Sequence, residues 1–389
     1  MGGKVQIREF NEDKDVEMVM KLESNCEATG SNKGISIINY IEGDPLYRIR
    51  FYHAHVMLVA ELQKNGEVVG MVRGCIKYVG TRFRPGEQFK LGSILGLRVS
   101  PSHRRMGIGF SLVQSIEEWM KRNGAQYTFL AIEEKNAASK NLFTLRCNYT
   151  KSSSLVMYLQ SLTLMPKDLP QHIKIERLSI DQAIHLYREY NLKSKDMYPM
   201  DIDTLLREKL NLGTWVSYFK EENLEGLTRK EKSDSKSICA LAPSSWAMFS
   251  LWNTCEAFKV KTIKRSLHET LIHAWEKVFP CLGCKELSLE KPFGFLFLYG
   301  IHGEGERIGE IMEYVWGFAS RVAQNMKDCK AIMFELGISD PLRELVAKRS
   351  TISCMNDLWY LKRVGGGSDA GDLVGKGTLG NVFVDPRDF

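Results

Sequence analysis

Between Leu95 and Met120 the chain reads LGLRVSPSHRRMGIGFSLVQSIEEWM, and the residues able to hold an anion come as one group. Arg104 and Arg105 stand before Met106, Gly107, Ile108 and Gly109, where an apolar strand pattern gives way to a helical one. The first N–H groups of a helix lack intrahelical partners, and the peptide dipoles gather partial positive charge there. Glycine removes the side chains that would keep a bulky anion away from those N–H groups. Arginine adds charge and forked donors suited to phosphate oxygens. Arg-x-x-Gly-x-Gly therefore has the makings of a metal-free diphosphate seat. A P-loop would need Gly-Lys-Ser/Thr after four spacers, and a dinucleotide fingerprint would lead with glycine where arginine stands. From the six residues alone, a tight strand–helix turn flanked by solvated arginines stays open.

Other reactive residues give weaker signals. Cys281 and Cys284 form a lone CLGC, without the second pair or nearby histidines that a zinc site requires, so no metal is expected. The nine cysteines are scattered and odd in number, which fits reduced thiols and an intracellular protein, nuclear or cytoplasmic.

The elements that must position the arginine–glycine turn can be read around it. VQIREF is a strand, followed by a helix capped by Asn11. VMLVAEL and VVGMVRGCIKYV form a hairpin around QKNGE. LGSILGLRVS is a strand leading into a helix whose inner face is Ile108, Leu112, Val113, Ile116 and Met120. YTFLAIEE, a short helix over NAASKNLFTLRC, and SSSLVMYLQ complete a β-α-β-β-β-α-β-α-β order. A polar break with two prolines, LMPKDLPQH at 164–172, marks a domain boundary. The second half repeats the order in HIKIERL, TWVSYF, SWAMFSLWN, PFGFLFLYG, a helix from Ile308 to Met326, CKAIMFELG, DPLRELVAK and DLWYLKRV. The domains expected are 1–165, 172–364, and a Gly-rich linker and tail at 365–389, whose VFVDPRDF docks back as an extended piece.

At 389 residues the chain is long for one core, and 44% hydrophobic with 26% charged residues is ordinary for a globular protein. A net charge of +6 suits an anionic ligand, but there is no sustained basic run of nucleic-acid type. No apolar span is long enough to cross a bilayer, and Gln6 stands where a myristoylation signal wants Ser or Thr.

VSPSHRRMGIG after a strand, followed by N-x-x-S-x-x-L-F from Asn136 to Phe143 after the next strand, resembles the acetyl-CoA site of the GCN5-related N-acetyltransferase (GNAT) superfamily. The strand order of residues 1–160 is also that of the superfamily's fold. A longer resemblance, carried by GDPLYRIR, MLVAEL, GMVRGCIK, DIDTLLREKLNLGTWV, YGIHGEGERIGEIM, SDPLREL and FVDPRDF, is to the plant Hookless-type N-acetyltransferases. It implies an α/β protein: a GNAT fold in the N-terminal half, with a mixed, mostly antiparallel sheet flanked by helices, followed by a second, degenerate GNAT-like domain. It also implies acetyl-CoA as acyl donor, an amine acceptor on a protein (a nuclear one such as a histone among the candidates) or a small molecule, and a role in hormone-controlled differential growth linked to ethylene and auxin. By the same resemblance Leu97, Arg98 and Val99 hold the pantetheine arm through their backbone. Arg104, Arg105, Met106, Gly107, Ile108 and Gly109 hold the pyrophosphate, and Asn136 and Phe143 line the far side near the thioester.

The chemistry such an enzyme must supply is set by the amine. A lysine amine is almost wholly protonated at neutral pH, and reaching its neutral form costs about 4–5 kcal/mol, so a positioned base is valuable. Backbone N–H groups of the strand ending at Val99 are placed to meet the oxyanion. The sequence departs from the superfamily pattern at three points. LGSILGLRVS carries no carboxylate, Phe143 stands where many members have a tyrosine that protonates the leaving thiolate, and Asn148 replaces a usual glycine. Glu133, ending AIEE, is the best remaining base in the first half, and Glu335, ending IMFE, is its counterpart in the second. The second half lacks Arg-x-x-Gly-x-Gly, and Glu304 and Glu306 in its turn would repel a pyrophosphate. It is therefore expected to shape the acceptor site or an oligomer interface. A fold that binds the cofactor or partners without turnover is the alternative reading.

Overall fold

The computed structural model describes residues 4–28, 35–40, 44–162, 171–222, 224, 227, 243–257, 259–264, 293–347, 353–365 and 378–388. Most of the proline-containing break, the charged loop after Lys220, Cys281, Cys284 and most of the Gly-rich linker lie outside the described residues.

The first half runs β1 (Val5–Glu9), α1 (Glu12–Ala28), β2 (Ile35–Tyr40), β3 (Ala54–Leu62), β4 (Val68–Thr81), β5 (Phe89–Val99), α2 (Ile108–Arg122), β6 (Tyr127–Glu133), α3 (Ala137–Asn141) and β7 (Thr150–Ser161). Asn11 caps α1 as expected, its Oδ1 accepting from the Asp13 N–H at 2.9 Å. The second half contributes β8 (Ile173–Arg177), α4 (Ile180–Leu186), α5 (Leu192–Ser194), β9 (Met197–Pro199), α6 (Ile202–Arg207), β10 (Asn211–Phe219), β11 (Trp246–Asn253), β12 (Lys259–Lys264), β13 (Gly294–Glu304), α7 (Ile308–Gln324), β14 (Cys329–Gly337), α8 (Arg343–Ala347) and β15 (Ser353–Arg363). β2 pairs with β12, a contact between the halves that the sequence pattern does not announce.

One sheet passes through both halves in the order β1-β3-β4-β5-β6-β15-β7-β14-β13-β11-β10-β8, with β9 joined to the end of β4. Each half contains one parallel pair, β5 with β6 and β13 with β14, and its other ladders are antiparallel. The last strands are exchanged. β15, from the second half, lies between β6 and β7, while β7, from the first, pairs onto β14. Each half's sheet is thus closed by a strand of the other.

The faces follow from the alternation along β4. Val72 and Ile76 join Leu112, Val113 and Ile116 of α2 in one core, whereas Met71 and Cys75 join Val19 and Leu22 of α1 in another. Beyond β6, the α1 face continues into a core built by Phe129, Leu155, Met333 and Trp359, drawn from both halves. The stretch after the linker docks there. Val382, Phe383, Asp385 and Arg387 are buried, and the Phe383 N–H donates to the Met197 carbonyl at 2.9 Å.

Candidate active site

β5 and β6 run side by side only from Leu91–Ser93 against Tyr127–Phe129. Beyond Phe129 that edge of β6 has no ladder partner among the described residues, β15 lying along its other edge throughout, so the last residues of β5 turn an edge toward a gap in the sheet. At Gly96 the backbone takes a φ of +58°, and the β4–β5 register slips between Met71 and Arg73. This is a β-bulge, which re-aims a strand end. A side chain could not replace this glycine without a clash, since a Cβ would lie 2.7 Å from Arg73 Nη1. The bulge also sorts the side chains that follow. Leu97 and Val99 pack with the α2 core, whereas Arg98 stands opposite Met71 on the α1 face.

The chain then makes a single 3-10 turn over Pro101–His103 and enters α2 through two left-handed residues, Arg105 at φ +66° and Gly107 at φ +84°. Gly107 is the N-cap and supplies no side-chain cap, and a Cβ built on it meets nothing within 4 Å. The helix mouth is therefore open where a diphosphate would sit. Arg104, Arg105, Met106 and Gly107 are exposed, Gly109 is half-buried, and Ile108 anchors the turn in the core. Arg104 Nε donates to the Val99 carbonyl at 3.3 Å, as does Cys26 Sγ from α1, which ties the turn to the strand end. Leu97, Arg98, Val99 and Arg104 to Gly109 form one continuous edge.

Asn136 and Phe143 are placed differently. Asn136 caps α3, its Oδ1 accepting from the Ser139 N–H at 3.1 Å. Phe143 is buried in the α2 core, its ring edge-on to Tyr149 at 5.4 Å. Tyr149 is the nearby phenol, but its hydroxyl is buried against Thr128 Oγ1 at 2.8 Å, and burial pushes its pKa up. Asn148 stands at φ +59°, a left-handed position that asparagine tolerates better than most residues, which accounts for its replacing glycine.

The carboxylates gather on the α1 face. Glu133 at the end of β6 is exposed and stands directly across from Asp357 of β15. Asp357 is half-buried; burial, and then the Glu133 charge, push its pKa up to about 6. Glu335 of β14 pairs with Met157 of β7, which pairs in turn with Met355 of β15, so it lies on the same face two strands away. Burial first, then Asp357 and Asp388, hold Glu335 well above the usual carboxylate range. The exchanged strand thus brings Glu133, Asp357 and Glu335 onto one wall beside the gap. Asp357 escaped the sequence reading because it begins DLWYLKRV, a strand assigned to the other half.

The corresponding turn of the second half is arranged otherwise. Glu304 accepts from His302 Nε2 at 3.1 Å, which holds its carboxyl below the usual range, and Arg307 is engaged by Glu310 at 2.9 Å. Among the described residues no cluster of metal-ligating side chains occurs, and no helix is long and apolar enough to cross a membrane.

Residues 28–149 match the model of the acetyltransferase (GNAT) family. Over 98% of its length the chain is 34% identical to 99% of "Probable N-acetyltransferase HLS1" of Arabidopsis thaliana. It is 32% identical to "Probable N-acetyltransferase HLS1-like" of the same plant, over 99% of both chains. Among solved structures, Saccharomyces cerevisiae N-myristoyltransferase with bound myristoyl-CoA superposes with a TM-score of 0.57 at 10% identity, over 98% of this chain and 84% of that one. That likeness is one of fold.

Proposed function

Since this chain belongs to the HLS1 and HLS1-like family of GNAT-fold N-acetyltransferases, we propose that it transfers acetyl from acetyl-CoA to an amine, and that the β5 edge and the mouth of α2 are where the donor sits. The single observation that carries this reading is the divergence of β5 from β6 immediately before a helix entered through Arg105 and Gly107, both left-handed.

The thioester supplies an already activated acyl group, so the protein's work is to orient and to move protons. N–H groups at Ile108 and Gly109 with the Arg104 and Arg105 guanidiniums hold the diphosphate. The edge of Leu97, Arg98 and Val99 offers main-chain hydrogen bonds to the pantetheine amides, as an added strand would. On the other side of the gap Asp357, with Glu133 and Glu335, takes the proton from the incoming ammonium. A carboxylate poised near 6 is a better base than an ordinary one and is still ionised at neutral pH. We assign the acceptor amine to a protein or a small molecule and, following the Hookless-type resemblance, the biological role to hormone-controlled growth.

Isothermal titration and a thioester-cleavage assay test the reading together. Wild type is expected to bind acetyl-CoA and release CoA when amine is added. Gly107→Glu is expected to lose binding, and Asp357→Asn is expected to bind normally but turn over slowly. Binding by Gly107→Glu equal to that of wild type removes the proposal. A second reading, a regulator that binds acyl-CoA without turnover, is favoured by the burial of Phe143 where a proton donor would be useful. Binding with no CoA release from any amine selects it.

A further inference from the structure

Opposite the acidic wall, the α1 face of β4 and β5 carries an excess of cations. Arg73 is 1% exposed and lies under the bulge at Gly96. Its Nε donates to the Pro45 carbonyl at 2.6 Å and its Nη1 to Glu23 at 2.9 Å, while Nη2 has no acceptor among the described residues. Pro45 begins the turn that carries Arg48, whose Nη2 donates to the main-chain carbonyl of Asp388 and whose buried Nε likewise lacks an acceptor among the described residues. The Asp388 carboxylate does not serve Arg48, because Lys77 Nζ and the Tyr52 hydroxyl occupy it. Arg98, on the same face by its register with Met71, donates to the Leu97 carbonyl at 3.2 Å and has no carboxylate partner among the described residues. Burial keeps the Arg48 pKa below its ordinary value, and the charges of Arg73 and Arg98 act in the same direction.

Buried guanidinium N–H groups without acceptors are costly, and clustered like charges add to the cost. A forked carboxylate relieves both. The donor edge uses the main chain of β5, and the side chains of Leu97 and Val99 turn to the opposite face. The three arginines instead share the α1 face with Glu133, Asp357 and Glu335. We propose that Arg48, Arg73 and Arg98 form the anion-binding end of the acceptor site, so that the acceptor is an amine that also carries a carboxylate. This rests on the acetyltransferase reading: the acidic wall receives the ammonium and the arginines receive the carboxylate. The carboxylate is either the free α-carboxylate of an amino acid or an acidic side chain near the amine in a peptide.

Binding of product analogues tests the proposal apart from turnover. The CoA-saturated protein is titrated calorimetrically with N-acetylglycine against N-acetylglycinamide, and with N-acetyl-aspartyl-glycinamide against N-acetyl-asparaginyl-glycinamide. At least one carboxylate is expected to bind about tenfold more tightly than its amide, and the pair that discriminates identifies the source. Arg48→Gln should bring the ratio to about threefold or less with CoA binding retained, and Arg98→Gln should lower the ratio likewise, whereas Arg98→Lys keeps most of it. Ratios near one in wild type for both pairs, no heat from any probe, or discrimination untouched in both glutamine variants overturns the proposal. Discrimination without acetyl transfer would uphold this site and sink the enzyme reading. Transfer to amines regardless of charge would do the reverse.

Discussion

Asp357 stands directly across from Glu133 in the ladder between β15 and β6, although the two are contributed by different halves of the chain. Neither carboxylate has a cation within ion-pair distance among the described residues; burial first, and then the Glu133 charge, push the Asp357 pKa up to about 6. A base there must be ionised to work, so kcat is expected to rise as pH climbs through about 6 and to level off above it. Asp357→Asn should abolish that limb and lower kcat by about 10²-fold or more with little change in acetyl-CoA affinity. An unchanged pH profile would clear Asp357 of the role.

The same residue makes a prediction about stability, with the opposite sign to the usual acid effect. A carboxyl whose folded pKa exceeds its unfolded value binds more protons in the native state between the two. Its contribution is therefore fully present below about 4 and is lost as pH rises through about 6. Asp357→Asn should be stabilising above that range, by on the order of 1 kcal/mol once half-exposure is allowed for. That is a rise of about 1 °C in Tm at pH 8 and none at pH 4. Differential scanning calorimetry at the two pH values decides it, and a loss of stability at pH 8 would contradict the assignment.

At the helix mouth, backbone strain and ligand fit can be separated. Gly107 lies at φ +84°, where an alanine is strained, yet the space beside it is open. Gly107→Ala should therefore cost about 1 kcal/mol of stability while keeping measurable acetyl-CoA binding. Gly107→Glu and Arg104→Glu bring a negative charge to the diphosphate and should lose most of the thermal shift that acetyl-CoA produces in wild type. Equal shifts in all four proteins would place the donor elsewhere.

How much of this could be read from residues alone depended on the range of the interaction. The candidate anion seat is local: Arg-x-x-Gly-x-Gly, the strand before it and the helix after it are contiguous, and hydrophobic period located the strand and the helix. Asn11 as a cap and the α2 face from Ile108 to Met120 were legible for the same reason. The partners of β15 were not. An alternating strand declares that one face is buried, not which edge it joins, and DLWYLKRV reads equally well as the closing strand of either half. The acidic wall depends on that choice, so Glu133 and Glu335 could be named singly but not as neighbours of Asp357. Arg73 was hidden by VVGMVRGCIKYV, where it looks like a solvent-facing interruption of a strand.

The exchange has a consequence for folding. Without β15 the first half would expose the β6 edge, and without β7 the second would expose β14. Unpaired central edges with buried side chains do not persist in water. Residues 1–162 expressed alone are expected to give broad, poorly dispersed amide spectra and no acetyl-CoA binding. Mixing with residues 163–389 during refolding should restore both. A well-folded, binding-competent first half on its own would show that the exchange is incidental.

The segment after the linker is expected to matter as much as a core helix, and Arg387 is the place to test it. Its guanidinium is 1% exposed and is held by Asp385 and by Asp201, with Nη2–Oδ2 2.6 Å and Nη1–Oδ2 2.7 Å. Arg387 also lies over the Tyr52 ring at 5.0 Å. Removing one partner of a buried ion pair leaves the other charge uncompensated, at about 3–5 kcal/mol, whereas replacing both with apolar groups is far less costly. Arg387→Met should therefore destabilise severely, and Arg387→Met with Asp385→Leu should recover much of the loss. The next residue carries the coupling into the site, since Asp388 accepts from Lys77 and Tyr52 and contributes to the high pKa of Glu335. Asp388→Asn leaves the buried Lys77 ammonium without its carboxylate and should lower Tm, and it should also lower the pKa of Glu335. A Glu335 carboxyl whose NMR titration does not move in Asp388→Asn would mean that the segment braces the sheet without tuning its carboxylates.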